Sequence, residues 1–320
     1  MKNLVLFLTC TLVLLSCKKK TEKEAPDQET VKEWQIGKNE YNKVMDGEER
    51  NFLVHVPQSY TGDTPVPLLF MLHGSSGTGT KFYNISGWVQ KSEEENFIAV
   101  FPTALKYPIV ENNNNLITKW SIDGLENQIP PGYPIKDDIP FFREMINWCE
   151  SQFNIDSKRI YVSGFSNGGA FVRTRIIDEM NDVFAAASGG NIGFEHTLTI
   201  TGYIMPFFQI IGSKDDHILD YLGIQELPLY ANDLLQIPEI ATQIDNLKVS
   251  LSIGDSYTEN QVVPKYNLIT WDNDLTGSGN EYKLLIVNDL RHKYPNGNNN
   301  PHNVKATDFL WDWFMEYELP

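Results

Sequence analysis

Cysteine is scarce: three in 320 residues, at positions 10, 17 and 149. That is too few for a disulfide framework, so a sizeable core must hold the fold. Positive charge is also short, with 26 Lys and Arg against 42 Asp and Glu and a net charge of −16. This argues against nucleic acid as a partner and against electrostatic adhesion to anionic lipid. No apolar run reaches the ~20 residues that a membrane-spanning helix needs. The longest, residues 4–15, is followed by Ser16, Cys17 and Lys18-Lys19-Lys20. The six histidines lack the paired spacing with Cys or carboxylate that would mark a metal site, so no metal and no cofactor are expected. The Gly-rich stretch His73–Gly79 lacks the Lys-Ser/Thr ending of a phosphate cradle. There is no internal repeat.

What is present begins with a secretory pattern. Met1-Lys2-Asn3 and the apolar run read as a signal peptide over residues 1–16. Leu14-Leu15-Ser16-Cys17 resembles the lipobox of bacterial lipoproteins, which implies cleavage before Cys17 and lipidation of it. By the same resemblance, Lys18 rather than Asp after the cysteine points away from inner-membrane retention. The expected location is the cell envelope, anchored by lipid to the outer membrane, or secreted, with the membrane met only through that anchor. Residues 17–33, charged and containing Pro26, read as a flexible tether, leaving 34–320 as a single catalytic domain. With Cys10 removed and Cys17 lipidated, Cys149 is left alone on a helical pattern, as a buried structural thiol.

Along the domain, the alternating stretch 51–57 and apolar runs at 67–72, 97–102, 160–162, 184–188, 206–212 and 282–287 read as strands. Asp137-Asp138 and Pro140 open an amphipathic helix carrying Phe142, Met145, Ile146, Cys149 and Phe153. Asn303 is placed to cap a closing helix through Ala306, Leu310 and Phe314. Strands alternating with helices imply an α/β fold with a mostly parallel central sheet and helices on both faces. Residues 217–280 look irregular, an insertion that would fold over the site like a cap.

The chain is organised around Arg159-Ile-Tyr-Val-Ser-Gly-Phe-Ser-Asn-Gly-Gly-Ala-Phe171. A strand runs directly into Gly164-Phe165-Ser166-Asn167-Gly168 and then into a helix, the nucleophile elbow of the α/β-hydrolase fold. Hydrolysis through a serine needs a base to take the Oγ proton, an acid to orient the base, and donors for the oxyanion. In this fold they follow in the order Ser, Asp or Glu, His, each just after a strand. Ser166, Asp215 and His292 supply that order. Asp216 and Asp220 are the lesser candidates for the acid and His302 for the base. His55 falls inside a strand, His73 and His196 precede the acid, and His217 follows it too closely. The oxyanion donors are expected to be the N–H groups of Asn167 and Ser75, with Gly74 the alternate. Trp120, Phe165 and Tyr294 are candidates for an aromatic platform that binds substrate.

On these motifs the chain resembles the polyhydroxybutyrate-depolymerase-like esterases, related to feruloyl and acetylxylan esterases. The matching residues are Leu53-Val-His-Val-Pro57, Leu72-His-Gly-Ser-Ser-Gly77, Asn154–Gly169, Gly212-Ser-Lys-Asp215 and His292–Gly297. The resemblance implies a Ser166–His292–Asp215 triad with Ser75 and Asn167 as oxyanion donors. It also implies a serine esterase working through an acyl-enzyme on feruloyl or acetyl esters of polysaccharides or on short polyester oligomers. Arg291 before the base and the long 217–280 segment depart from the family pattern and bear on the substrate. Two alternatives share the surface features: a serine peptidase of the prolyl-oligopeptidase type, and a non-catalytic glycan-binding surface lipoprotein.

Overall fold

The structure, a computed structural model, describes residues 33–190 and 197–320. The proposed signal peptide, Cys17, nearly all of the tether and His196 lie outside the described residues. An antiparallel pair, β1 (Gly37–Met45) and β2 (Glu48–Val56), leads into β3 (Val66–Leu72) and β4 (Ile98–Thr103). A small hairpin follows, β5 (Lys106–Ile109) and β6 (Asn115–Thr118). Then come β7 (Ile155–Phe165), β8 (Ala186–Gly190), β9 (Phe207–Gly212), β10 (Thr258–Val262), β11 (Tyr266–Trp271) and β12 (Tyr282–Val287). Ten of these strands form one sheet in the order β1-β2-β4-β3-β7-β8-β9-β12-β11-β10. The run from β4 to β12 is parallel, and antiparallel pairs extend both edges.

Continuous apolar runs make strands buried on both faces, because alternate side chains feed opposite layers. In β3, Leu68, Phe70 and Leu72 enter one core while Leu69 and Met71 enter the other. Ile98 and Val100 against Ala99 and Phe101 repeat this in β4, as do Leu284 and Ile286 against Leu285 and Val287 in β12. The helices that close the layers are α1 (Gly79–Ile85), α2 (Trp88–Glu95), α3 (Ile139–Gln152), α4 (Asn167–Phe171) and α5 (Ile177–Glu179). They continue with α6 (Asp216–Leu222), α7 (Ala231–Leu234), α8 (Pro238–Ser250) and α9 (Ala306–Phe314). A wide π-helical turn, Val172–Ile176, joins α4 to α5.

Buried charge fastens one edge of the sheet to α3. Arg50 of β2 donates to Asp138 (2.8 Å) and to Asp46 (2.7 Å), and its guanidinium lies over the Phe141 ring. Asp138 also accepts the Ser121 N–H, at 2.9 Å. Burial raises its proton affinity, and Arg50 with this hydrogen bond opposes that.

Three expectations change. Residues 217–280 hold more regular structure than expected. α8 puts Ile240, Ile244 and Leu247 into the core, and β10 and β11 extend the sheet. β10, Thr-Glu-Asn-Gln-Val, is a polar edge strand whose sequence carries no alternation to reveal it. Lys305, not Asn303, takes the cap position of α9, and Asn303 itself sits in a left-handed conformation, φ 53°. The apolar runs of the sequence give no strand between β4 and Trp120, where the structure has the β5–β6 hairpin.

Candidate active site

Ser166 stands at the end of β7, the fifth strand of the ten, with α4 starting at the next residue. Its backbone, φ 51° and ψ −119°, lies in a region that L-residues rarely occupy. The flanking glycines permit the turn. A Cβ on Gly164 would come 2.4 Å from Gly168 O, and one on Gly168 would come 2.5 Å from His73 O. Any side chain at either position would force the strand, helix and neighbouring loop apart.

The structure brings the three sequence-selected residues together. His292 Nε2 is 3.0 Å from Ser166 Oγ, and His292 Nδ1 is 3.0 Å from both carboxylate oxygens of Asp215. Asp215 follows β9 and is fully buried, while His292 follows β12 and stays partly accessible. The aspartate is fixed from a second side, because it caps α6 and accepts the N–H groups of His217 and Ile218. Asp216 is instead the first residue of that helix, and His302 pairs with Asp289.

The loop after β3 lies against the serine, since a Cβ on Gly74 would sit 3.0 Å from Ser166 Cβ. Its amides are unequally used. Ser76 N–H goes to Thr118 O and Gly77 N–H to Gly74 O. Among the described residues the Ser75 N–H has no intramolecular acceptor, and Asn167 N–H opens α4 without a helical one. His73 locks the loop from beneath. Its Nδ1–H donates to Gly74 O (2.7 Å) and its Nε2 accepts from Ala104 N–H (3.0 Å), a pattern that requires a neutral ring. Burial lowers its pKa to about 4, which keeps the ring in that state.

Trp120 must be corrected. It is fully buried, donates its indole N–H to His73 O and stacks on Phe171, so no face is left for a ligand. It is a strut beneath the loop. Its own N–H is accepted by Asn167 Oδ1 at 2.8 Å, tying the loop to the elbow. Phe165 and Tyr294 do border a cavity of ≈ 250 Å³ beside His292 and Ser75. Phe165 packs on the His292 ring. Tyr294 shows only part of its ring, because its hydroxyl is held by Trp88 Nε1 (2.9 Å) and Ser163 Oγ (3.2 Å). Elimination by chain order also passed over His217, whose ring stacks on His292 at 3.9 Å between centroids. Cys149 is buried, and burial pushes its thiol pKa well up. Among the described residues no cluster of three His, Cys, Asp or Glu could hold a metal ion.

The sheet order and its helix layers give the chain an α/β-hydrolase-type fold. More narrowly, it resembles the acetylxylan and feruloyl esterases and the polyhydroxyalkanoate depolymerases, and residues 43–177 match the family model described as putative esterase. A bifunctional acetylxylan esterase/xylanase of Neocallimastix patriciarum is 24% identical over 73% of this chain and 29% of its own length. Feruloyl esterase B of Piromyces equi is 25% identical over 59% of this chain and 31% of its own. Poly(3-hydroxyalkanoate) depolymerase C of Paucimonas lemoignei is 30% identical over 42% of this chain and 29% of its own. The chain thus spans about three tenths of these curated relatives. A solved acetyl xylan esterase from Aspergillus awamori shares the fold with a TM-score of 0.56 at 14% identity, covering 87% of this chain and 99% of that one.

Proposed function

We propose that the protein is a serine carboxylic-ester hydrolase whose triad is Ser166, His292 and Asp215. The observation that carries this is the unbroken relay from Ser166 Oγ through both nitrogens of His292 to the buried Asp215. His292 Nε2 takes the serine proton as Oγ attacks the ester carbonyl. Asp215 holds Nδ1–H and stabilises the imidazolium. The amides of Ser75 and Asn167 receive the oxyanion, each contributing ~3 kcal/mol in sites of this kind. The ester C–O bond breaks as His292 returns the proton to the leaving alcohol. Water, deprotonated by the same histidine, then releases the acid from the acyl-enzyme.

The substrates that best fit the relatives' names are acetyl or feruloyl esters of polysaccharides, or short hydroxyalkanoate oligomers. Residues 1–16 are proposed as a signal peptide, Cys17 as the lipidated residue and 17–33 as a tether, with 34–320 as the catalytic domain at the cell envelope. The test is hydrolysis of 4-nitrophenyl acetate and butyrate. Ser166→Ala is expected to lower kcat by roughly 10³-fold or more with the fold retained. A parent as inert as the variant, or one faster on peptide anilides than on esters, overturns the proposal.

A further inference from the structure

The cavity beside the triad has a charge pattern unlike the rest of this acidic chain. Phe82, Ile85, Phe165 and Tyr294 form an apolar wall, and Lys81 and Lys293 are its charged lining residues. No Asp or Glu lines it, although acids outnumber bases 42 to 26 in the chain. Two other surface cavities carry acids as well as bases, one Glu94 and Asp308 beside its lysines, the other Asp123, Glu126 and Asp137 beside Arg175. Lys81 is exposed at the third residue of α1, and among the described residues its ammonium has no ion-pair partner. Its charge is felt at His73, in the loop that holds Ser75.

We propose that this cavity selects esters bearing a free carboxylate, which Lys81 pairs with while the apolar wall holds the adjoining ring or short chain. The inference rests on the esterase reading above and names a substrate class for it. An ammonium is a compact charge on a flexible stem, suited to a monoanion approaching from solvent. At ≈ 250 Å³ the cavity suits one ring or a short chain, not a polymer segment. The carboxylate belongs either to the acyl group, as in a dicarboxylic half-ester, or to the alcohol, as in an acylated hydroxy acid.

Two matched pairs separate these sources. For the acyl side they are mono-4-nitrophenyl adipate and its methyl ester; for the alcohol side, 4-acetoxybenzoate and methyl 4-acetoxybenzoate. Within one pair the charged ester is expected to have a kcat/KM about three- to tenfold above the neutral one, mostly through KM, as a partly exposed ion pair allows. Lys81→Gln is expected to remove that ratio and Lys81→Arg to keep it. Equal constants within both pairs, or a preference that survives in Lys81→Gln, overturn the inference while neutral esters still turn over. If no ester turns over, binding of 4-hydroxybenzoate against its methyl ester to folded Ser166→Ala decides. A charged-ligand preference lost in Ser166→Ala/Lys81→Gln upholds the cavity with the esterase reading gone. No preference at all overturns the inference itself.

Discussion

His217 reaches the site in two ways, its N–H bonding Asp215 while its ring covers one face of His292. Phe165 packs on the same imidazole, 5.0 Å between centroids, so two rings touch the proposed base while Asp215 holds its Nδ1. A base that swings by an ångström loses its alignment with Oγ, and errors of that size cost on the order of 10²-fold. His217→Ala removes the ring stacked on His292. It is expected to lower kcat on 4-nitrophenyl acetate by about tenfold with KM little changed. His217→Phe, which restores a ring without a titrating group, is expected to recover most of that loss; failure of Phe to rescue would assign His217 a chemical role instead. Residue identity and chain order lead to Ser166, Asp215 and His292, which meet in the structure, because the fold ties each to a strand end. They could not find His217, or tell that Trp120 is a strut, because both depend on which side chains meet across loops far apart in sequence.

At the scale of elements, the elbow works because β7, α4 and the loop after β3 approach to backbone contact. Gly168 is where α4 meets that loop: a methyl carbon added there would lie 2.5 Å from His73 O and 2.9 Å from Leu72 Cβ. Gly168→Ala is therefore expected to destabilise the fold by about 1–3 kcal/mol, read as a lower urea midpoint. It should also lower activity, since relief must come from moving the loop that carries Ser75; an unchanged midpoint would show the backbones free to separate. The same closeness explains what was legible. Strands buried on both faces announce themselves as apolar runs, so β2, β3, β4, β7, β8, β9 and β12 could all be read. β1 and β10 could not, because edge strands expose most of their side chains and carry no such run. The hairpin β5–β6 is hidden by its Asn-rich turn, yet Thr118 on it holds the proposed oxyanion loop at both Ser76 N–H and Gly77 O.

For the whole molecule, stability has to come from the two cores on either side of the sheet, since Cys149 is the single cysteine of the described residues and is buried. Its thiol lies on α3 against the sheet, with burial favouring the protonated, unreactive form. A reagent can reach it only when the core opens. If residues 1–16 are removed and Cys17 is lipidated as proposed, Cys10 is gone and the Cys17 sulfur is blocked. Protein isolated from the envelope is thus expected to show no fast-reacting thiol when native and one per chain in urea, mapped to Cys149 by peptide analysis. The native rate of labelling should follow global unfolding, falling with any stabilising condition. The outcomes separate cleanly. A second thiol in urea, mapped to Cys17, would refute lipidation, and a third at Cys10 would refute removal of the leader. Fast labelling of Cys149 in the native protein would mean that the layer of α3 over the sheet opens on its own, and that one cooperative core does not hold this domain together.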